Sequence, residues 1–136
     1  MDRTLVIIKP DGVERGLVGE ILARFERKLL TIELAEMRHL ERAVVERHYS
    51  EHVGKPFYEP TVEFMTSGPV MVVVLKGPLD TWKIVRSLVG VTNAADAAAG
   101  TIRGDFGIVT SRNLVHASDS AESALREIGI FFPHLA

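Results

Sequence analysis

Two kinds of apolar spacing divide this chain. Thr4-Leu-Val-Ile-Ile8 is an unbroken, β-branched-rich run closed by Lys9-Pro10-Asp11-Gly12. An apolar run without alternation reads as a strand covered on both faces, and Pro-Asp-Gly reads as a turn after it. From Gly16 to Lys28 the period becomes helical, with Leu17, Ile21, Leu22 and Phe25 on one face and Glu20, Arg24, Arg27 and Lys28 on the other. Thr31 to Leu40 predicts a second strand. Glu41 to His52 predicts a helix carrying Val44, Val45 and His48 on one side, broken by Gly54-Lys55-Pro56. Phe57 to Met65 predicts a short helix interrupted at Pro60. Val70 to Leu75 is the clearest buried strand, and a helix is expected from Pro78 to Val89 with Trp82, Val85, Leu88 and Val89 inward. Gly90 to Gly107 has no sustained apolar period and reads as a long loop, more often functional than idle. A strand is expected within Gly107 to His116, then a helix from Asp119 to Gly129 with Ser118-Asp119-Ser120 as cap residues and Glu122 in its first turn. The apolar tail Phe131-Phe132-Pro133 is expected to pack on something.

About four strands with helices between them, and almost no hairpin signals, predict an α/β (α+β) sandwich. Its simplest form is a split-βαβ, ferredoxin-like sheet. No repeat, low-complexity tract or linker interrupts the 136 residues, so a single domain over 1–136 is expected.

Composition narrows the function classes. Lys+Arg is 16 against Asp+Glu 18, a net charge of −2, which argues against a general electrostatic binder of nucleic acid or anionic membrane. It leaves room for a few cations in one pocket. With no cysteine, disulfides, thiolate catalysis and Cys-based metal sites are excluded. Gln is absent too, and only Asn93 and Asn113 represent Asn. That bias suits a thermostable protein, or equally an engineered or inferred sequence. The longest apolar run is strand-sized, far below the roughly 18 residues of a membrane span. The start of the chain has no basic, cleavable leader pattern, so a cytoplasmic protein is expected.

Candidate chemistry sits at the element ends. Lys9 follows a buried strand, and its ammonium reads either as a ligand group or as a solvated strand-end cation. Arg86 lies on a largely apolar helix. Thr92 and Arg103 bracket the long loop, and Gly100-Thr-Ile-Arg-Gly-Asp-Phe106 reads either as an anion-coordinating loop or as a turn. His116, in Asn113-Leu-Val-His-Ala-Ser118, falls where a strand gives way to a helix cap; it reads as an interface residue or as a nucleophile. Neutral imidazole is the best nucleophile in a chain without Cys, and it needs a partner on its second nitrogen. Glu127, eleven residues later, could reach back to it with Ser118 steadying the carboxylate. His48 and His52 are four apart, a metal-ligand spacing with no evident third ligand. Three long cations suit a polyphosphate, yet no G-x-x-x-x-G-K-[ST] loop and no H-R-D motif are present. A phosphohistidine route fits that gap.

Six blocks of the chain then resemble one family along nearly its whole length: Thr4 to Val13 with Arg15 to Ile21, His48-Tyr49, Lys55-Pro-Phe57, Ser67-Gly-Pro-Val70, Thr101 to Phe106, and Asn113 to Ser120. The family is nucleoside diphosphate kinase. The resemblance implies a ferredoxin-like βαββαβ core with a four-stranded antiparallel sheet. It also implies γ-phosphate transfer from nucleoside triphosphates such as ATP to nucleoside diphosphates, through a phosphohistidine and with broad base specificity. By motif, His116 is similar to the family's nucleophile, and Glu127 and Ser118 to the pair that orients it. Lys9, Tyr49, Arg86, Thr92 and Arg103 resemble the groups around the phosphates. Asn113, with Lys9, resembles the contact to the sugar hydroxyls, and Phe57 the ring that stacks on the base.

The resemblance further implies no protein metal site, Mg²⁺ arriving on the nucleotide phosphates, and ping-pong kinetics. Activity is expected to fall as pH drops through the titration of the nucleophilic imidazole. No membrane or nucleic-acid partner is expected. A homo-oligomer built from dimers is expected, hexamer before tetramer, with Phe131-Phe132 and the short C-terminal end favouring assembly. Departures are Ala94 where proline commonly follows the loop's Asn93, which puts loop ordering in question, Ala117 where glycine is usual, and Lys55 where arginine is common. The alternative is a non-catalytic nucleotide- or nucleic-acid-binding protein on the same fold. The intact His116, Ser118 and Glu127 set, and strands nearly free of aromatics, weigh against it.

Overall fold

The computed structural model describes residues 1–135. Four strands, β1 (Asp2–Ile8), β2 (Thr31–Arg38), β3 (Val70–Gly77) and β4 (Val115–Ala117), form one antiparallel sheet in the order β2-β3-β1-β4. The expected ferredoxin-like sheet is therefore present. β1 lies between β3 and β4, pairing Leu5 with Val74 and Ile7 with both Val72 and His116. Its apolar run lacks alternation because both faces are covered. Leu5 and Ile7 join one core cluster with Val72, Val74, Val62, Met65, Ile128 and Phe131. Val6 and Ile8 join the other with Val73, Leu75, Ile21, Phe25, Val85 and Ile102.

Seven α-helices cover the sheet among the described residues: α1 (Pro10–Glu14), α2 (Val18–Arg27), α3 (Arg42–His48), α4 (Tyr58–Met65), α5 (Thr81–Val89), α6 (Ile102–Phe106) and α7 (Ala121–Phe131). Helices α3, α4 and α7 pack on the Leu5–Ile7 face, and α2, α5 and α6 on the other. Several expectations need correction. Pro10-Asp11-Gly12 opens α1 instead of a mere turn, because Pro at the first helical position gives up only an unneeded N–H. Gly12 lets α1 lie against the sheet, since a Cβ there would sit 2.8 Å from Ile8 Cγ2 and 3.1 Å from the Leu114 carbonyl. Pro60 does not interrupt α4; it occupies the third position, where its missing N–H is again an orphan. The Pro78 helix starts only at Thr81, because Asp80 adopts a left-handed φ of 60°. The helix expected over Glu41 to His52 ends at His48, and Ser50–His52 tightens into a 3₁₀ turn.

The long loop is the largest revision. It contains a 3₁₀ turn, Ala94–Asp96, and the whole of α6. Asn93 caps the turn by accepting from the Ala95 N–H at 3.2 Å, and Thr101 caps α6 by accepting from Gly104. Arg24 clamps the segment to α2 through Asp105 at 2.7 Å and the Gly100 carbonyl at 3.2 Å. Gly104 is required, because any Cβ would collide with the Ala98 carbonyl. Loss of proline at position 94 thus leaves a segment tied from several sides. The tail packs as expected, but within this chain: Phe131 and Phe132 are buried in its own core, which corrects their use as a reason for assembly. No described helix is long and apolar enough to cross a membrane.

Candidate functional site

The open edge of the sheet beside β4 faces a cleft of about 750 Å³. Its floor is set by a strained peptide. Leu114, fully buried, has φ 77°, a conformation that costs energy for a residue with a Cβ. It is held from both sides: its N–H donates to Asp11 Oδ2 at 3.1 Å, and its carbonyl accepts from the Lys9 N–H at 2.8 Å. This turn aims Asn113 at the cleft and starts β4 in the register that places His116 opposite Ile7.

His116 therefore projects to the side where α3 and α7 pack, and its side chain is 19% exposed. Its Nε2 lies 2.7 Å from Oε1 of Glu127, which stands in the second turn of α7. Ser118 Oγ donates to the same oxygen at 2.8 Å. Burial works against the Glu127 charge, but the His116 hydrogen bond and the neighbouring imidazoles outweigh it and hold the carboxyl below its ordinary value. An ionised carboxylate can only accept, so the imidazole proton sits on Nε2. The Nδ1 lone pair is left free.

The surrounding groups lean towards anion binding. Lys9 Nζ donates to Asn113 Oδ1 at 2.8 Å, and Asn113 Nδ2 donates to the Thr92 carbonyl at 2.9 Å. Burial, then repulsion from Arg103, pushes the Lys9 ammonium down to about 8, against attraction from Asp11. A bound anion would favour the charged form and raise that value again. Arg103 is buried and braced on three carbonyls, Asn113 at 3.3 Å, Gly90 at 3.0 Å and Val115 at 2.6 Å. It is thus a brace joining the long loop to β4 as well as a cation of the cleft, and burial followed by the nearby Arg86 lowers it to about 10. Arg86 Nη1 donates to the Ala117 carbonyl at 3.0 Å. Burial, then the Glu127 charge, raises the Tyr49 phenol, so it stays a neutral hydroxyl.

All the expected site residues except Ser118 line this one cleft, and Ser118 is buried behind Glu127. Phe57 is 50% exposed at the rim. Lys55 does not line the cleft; its Nζ lies 3.1 Å from His52 Nδ1. The His48–His52 spacing is broken by the end of α3. His48 instead packs edge-on against His116, centroids 4.5 Å apart. Sequence reasoning assigned no role to Asp11 or Arg126. Asp11 was hidden in a Pro-Asp-Gly read as a turn. Arg126, whose Nη2 is 3.7 Å from Glu127 Oε2, carried no signal beyond adjacency. Ala117 fills the second core cluster at 1% exposure, so its methyl is accommodated.

Likeness to known proteins agrees with this geometry. The nucleoside diphosphate kinase family profile matches residues 2–136. A nucleoside diphosphate kinase of Archaeoglobus fulgidus is 55% identical over 132 residues, 97% of this chain and 87% of that one. The crystal structure of a nucleoside diphosphate kinase family protein from Babesia bovis superposes with a TM-score of 0.94 at 50% identity, covering 98% of this chain and 90% of that one. A halophilic nucleoside diphosphate kinase from Halobacterium salinarum, in complex with CDP, gives 0.93 at 45% identity over 96% and 87%.

Proposed function

We propose, for a chain that belongs to the nucleoside diphosphate kinase family, that its phosphate transfer between nucleotides runs through His116. The observation that carries this is the free Nδ1 of an imidazole whose Nε2–H is held by an ionised Glu127. Nδ1 attacks the γ-phosphorus in line with the bridging oxygen. The N–P bond forms, the bridging P–O bond breaks, and the nucleoside diphosphate leaves. A terminal oxygen of a second diphosphate then takes the phosphoryl group back, so one cleft serves both halves. The Glu127 carboxylate, fixed by Ser118, stabilises the positive charge that grows on the ring.

Lys9, Arg86 and Arg103 supply charge to the phosphates, with the neutral Tyr49 hydroxyl and Thr92 as donors beside them. Asn113 and Lys9 are paired where sugar hydroxyls would exchange into their hydrogen bond, and Phe57 offers a ring face that suits purines and pyrimidines alike. Mg²⁺ enters on the nucleotide. The possible metal donors at His116 are its own ring, that of His48 and the single carboxylate of Glu127, which is not the hard-oxygen set Mg²⁺ prefers. Single-domain organisation over 1–136, a cytoplasmic setting and a hexamer built from dimers complete the reading. Large apolar side chains left exposed on one chain, such as Leu29 at 89% and Leu79 at 81%, support assembly, and light scattering separates hexamer from tetramer. The reaction needs neither a membrane nor nucleic acid.

The test is incubation with γ-labelled ATP, denaturation and acid treatment. An acid-labile, alkali-stable phosphate on the protein is expected. Its absence, or full activity in His116→Ala, would refute the reading.

A further inference from the structure

His48 is the one buried ring in the cleft whose chemistry is unspent. It is 3% exposed, and neither Nδ1 nor Nε2 has a hydrogen-bond partner among the described residues. An imidazole has a donor and an acceptor, and leaving both unpaired costs free energy. The ring packs edge-on against Tyr49, His116 and Phe131, and none of these contacts satisfies either nitrogen. It is also in reach of solvent ions, since it lines the cleft together with His116.

One ligand atom each from His48, His116 and Glu127 lie within 4.8 Å of one another. Two imidazole nitrogens and a carboxylate oxygen are a donor set of Zn²⁺. Tetrahedral bonds of about 2.0–2.1 Å put such atoms about 3.4 Å apart, so binding requires these side chains to close by that difference. Mg²⁺ prefers hard oxygens and does not compete for this set. Lys9 and Arg126 stand close by, and their repulsion weakens the site relative to a dedicated zinc centre.

We propose that His48, His116 and Glu127 form an inhibitory binding site for a borderline divalent transition ion, for which Zn²⁺ is the probe. A neutral imidazole has one N–H and one in-plane lone pair. A metal on Nδ1 occupies the lone pair directly. A metal on Nε2 takes the place of that proton, which moves through solvent to Nδ1. In both cases His116 keeps no lone pair for phosphorus, and no electron transfer is involved. The inhibitory half rests on the phosphohistidine reading above; the binding half does not.

The experiment is calorimetric titration of Zn²⁺ into the full chain without nucleotide, with Co²⁺ as an optical probe. One ion per chain is expected, with a Kd on the order of micromolar, and Co²⁺ should give the intense visible band of four- or five-coordination. His48→Phe keeps the ring volume and should raise Kd at least about tenfold. His52→Ala, at a half-buried histidine of the same cleft outside the proposed ligand set, should leave it unchanged. Unchanged affinity in His48→Phe, lost affinity in His52→Ala, or a wild-type Co²⁺ spectrum of weak octahedral bands overturns the site; the last decides even where His48→Phe fails to fold. Separately, Zn²⁺ added before labelled ATP should suppress labelling of His116 in excess Mg²⁺. Persistent labelling with zinc bound overturns the inhibition. Absence of labelling without zinc overturns the phosphohistidine reading instead.

Discussion

At the floor of the cleft, His116, Glu127, Ser118, Lys9, Asn113 and Arg103 are tied by hydrogen bonds that join the ends of β1 and β4 to α6 and α7. At the rim, Phe57 and Thr92 stand open to solvent on connecting segments. The difference fits the role proposed for each part. Transfer to phosphorus needs a nitrogen held at a fixed angle, and misplacement there costs rate steeply. Stacking on a base tolerates sliding, since every base offers a π-face. Rigidity is placed under the reacting atom, where a fully buried Leu114 is kept in a left-handed conformation by Asp11 and Lys9.

The contrast is sharpest at His116, the proposed nucleophile. His116→Ala should lower kcat by at least about 10³-fold and abolish the acid-labile phosphoprotein in the labelling assay, while the rim still binds nucleotide. Lys9→Ala should come next, at about 10²-fold in kcat/KM from steady-state rates, the scale of one lost charge-stabilising donor. The same residue sets an alkaline limb. Its free-enzyme value of about 8 lies below the ordinary 10.5, so kcat/KM falls as pH rises through about 8, and Lys9→Arg should move that limb upward. Between these values the unfolded chain binds the extra proton, so this group makes stability rise with pH there. Falling activity with rising stability, followed by kinetics and chemical denaturation, separates a lost charge from unfolding.

Glu127→Gln keeps a carbonyl for the His116 N–H but removes the charge, and should cost about 10-fold in kcat with KM little changed. Because the Glu127 carboxyl is held below its ordinary value, its stabilising contribution is complete at neutral pH. It disappears only as pH falls through the depressed value, and a denaturation series at acid pH should show this loss missing in Glu127→Gln. At the rim, Phe57→Ala should raise KM several-fold, about 1 kcal/mol, with kcat within about twofold. A large kcat loss there would erase the distinction between floor and rim. The smallest effect belongs to Ala94→Pro. Asn93 already has an extended ψ of 107°, which a following proline favours, so the melting temperature should rise by the equivalent of about 0.4–1 kcal/mol.

Much of this was legible along the chain, for local reasons. The unbroken run Thr4–Ile8 announced a strand covered on both faces, and Ser120 with Glu122 announced the start of α7, where Ser120 accepts from the Ser123 N–H. What was missed depended on neighbours distant in sequence. α6 was read as loop because its five residues are too few to show a period, and it stands on contacts that its own Asp105 and Arg103 make with Arg24 of α2 and the Val115 carbonyl of β4. Phe131 and Phe132 looked like interface residues because burial within the chain and between chains leaves the same apolar signature. Arg103 looked like a free cation, since nothing local reveals three carbonyls converging on it.

The protein is an enzyme of its family, and its sequence alone determined which chemistry was open to it. Without cysteine, a neutral imidazole at a strand end was the best nucleophile the sequence offered, and His116 is the one proposed. The tertiary structure decided which nitrogen. Folding β4 against α7 brings Glu127 to Nε2 across eleven residues and leaves Nδ1 free, because one ionised carboxylate can fix only one end of the ring. The same packing set His48 beside His116 with its own nitrogens unpaired. No spacing in the sequence encodes that pairing, since it arises from two helices meeting at one sheet edge.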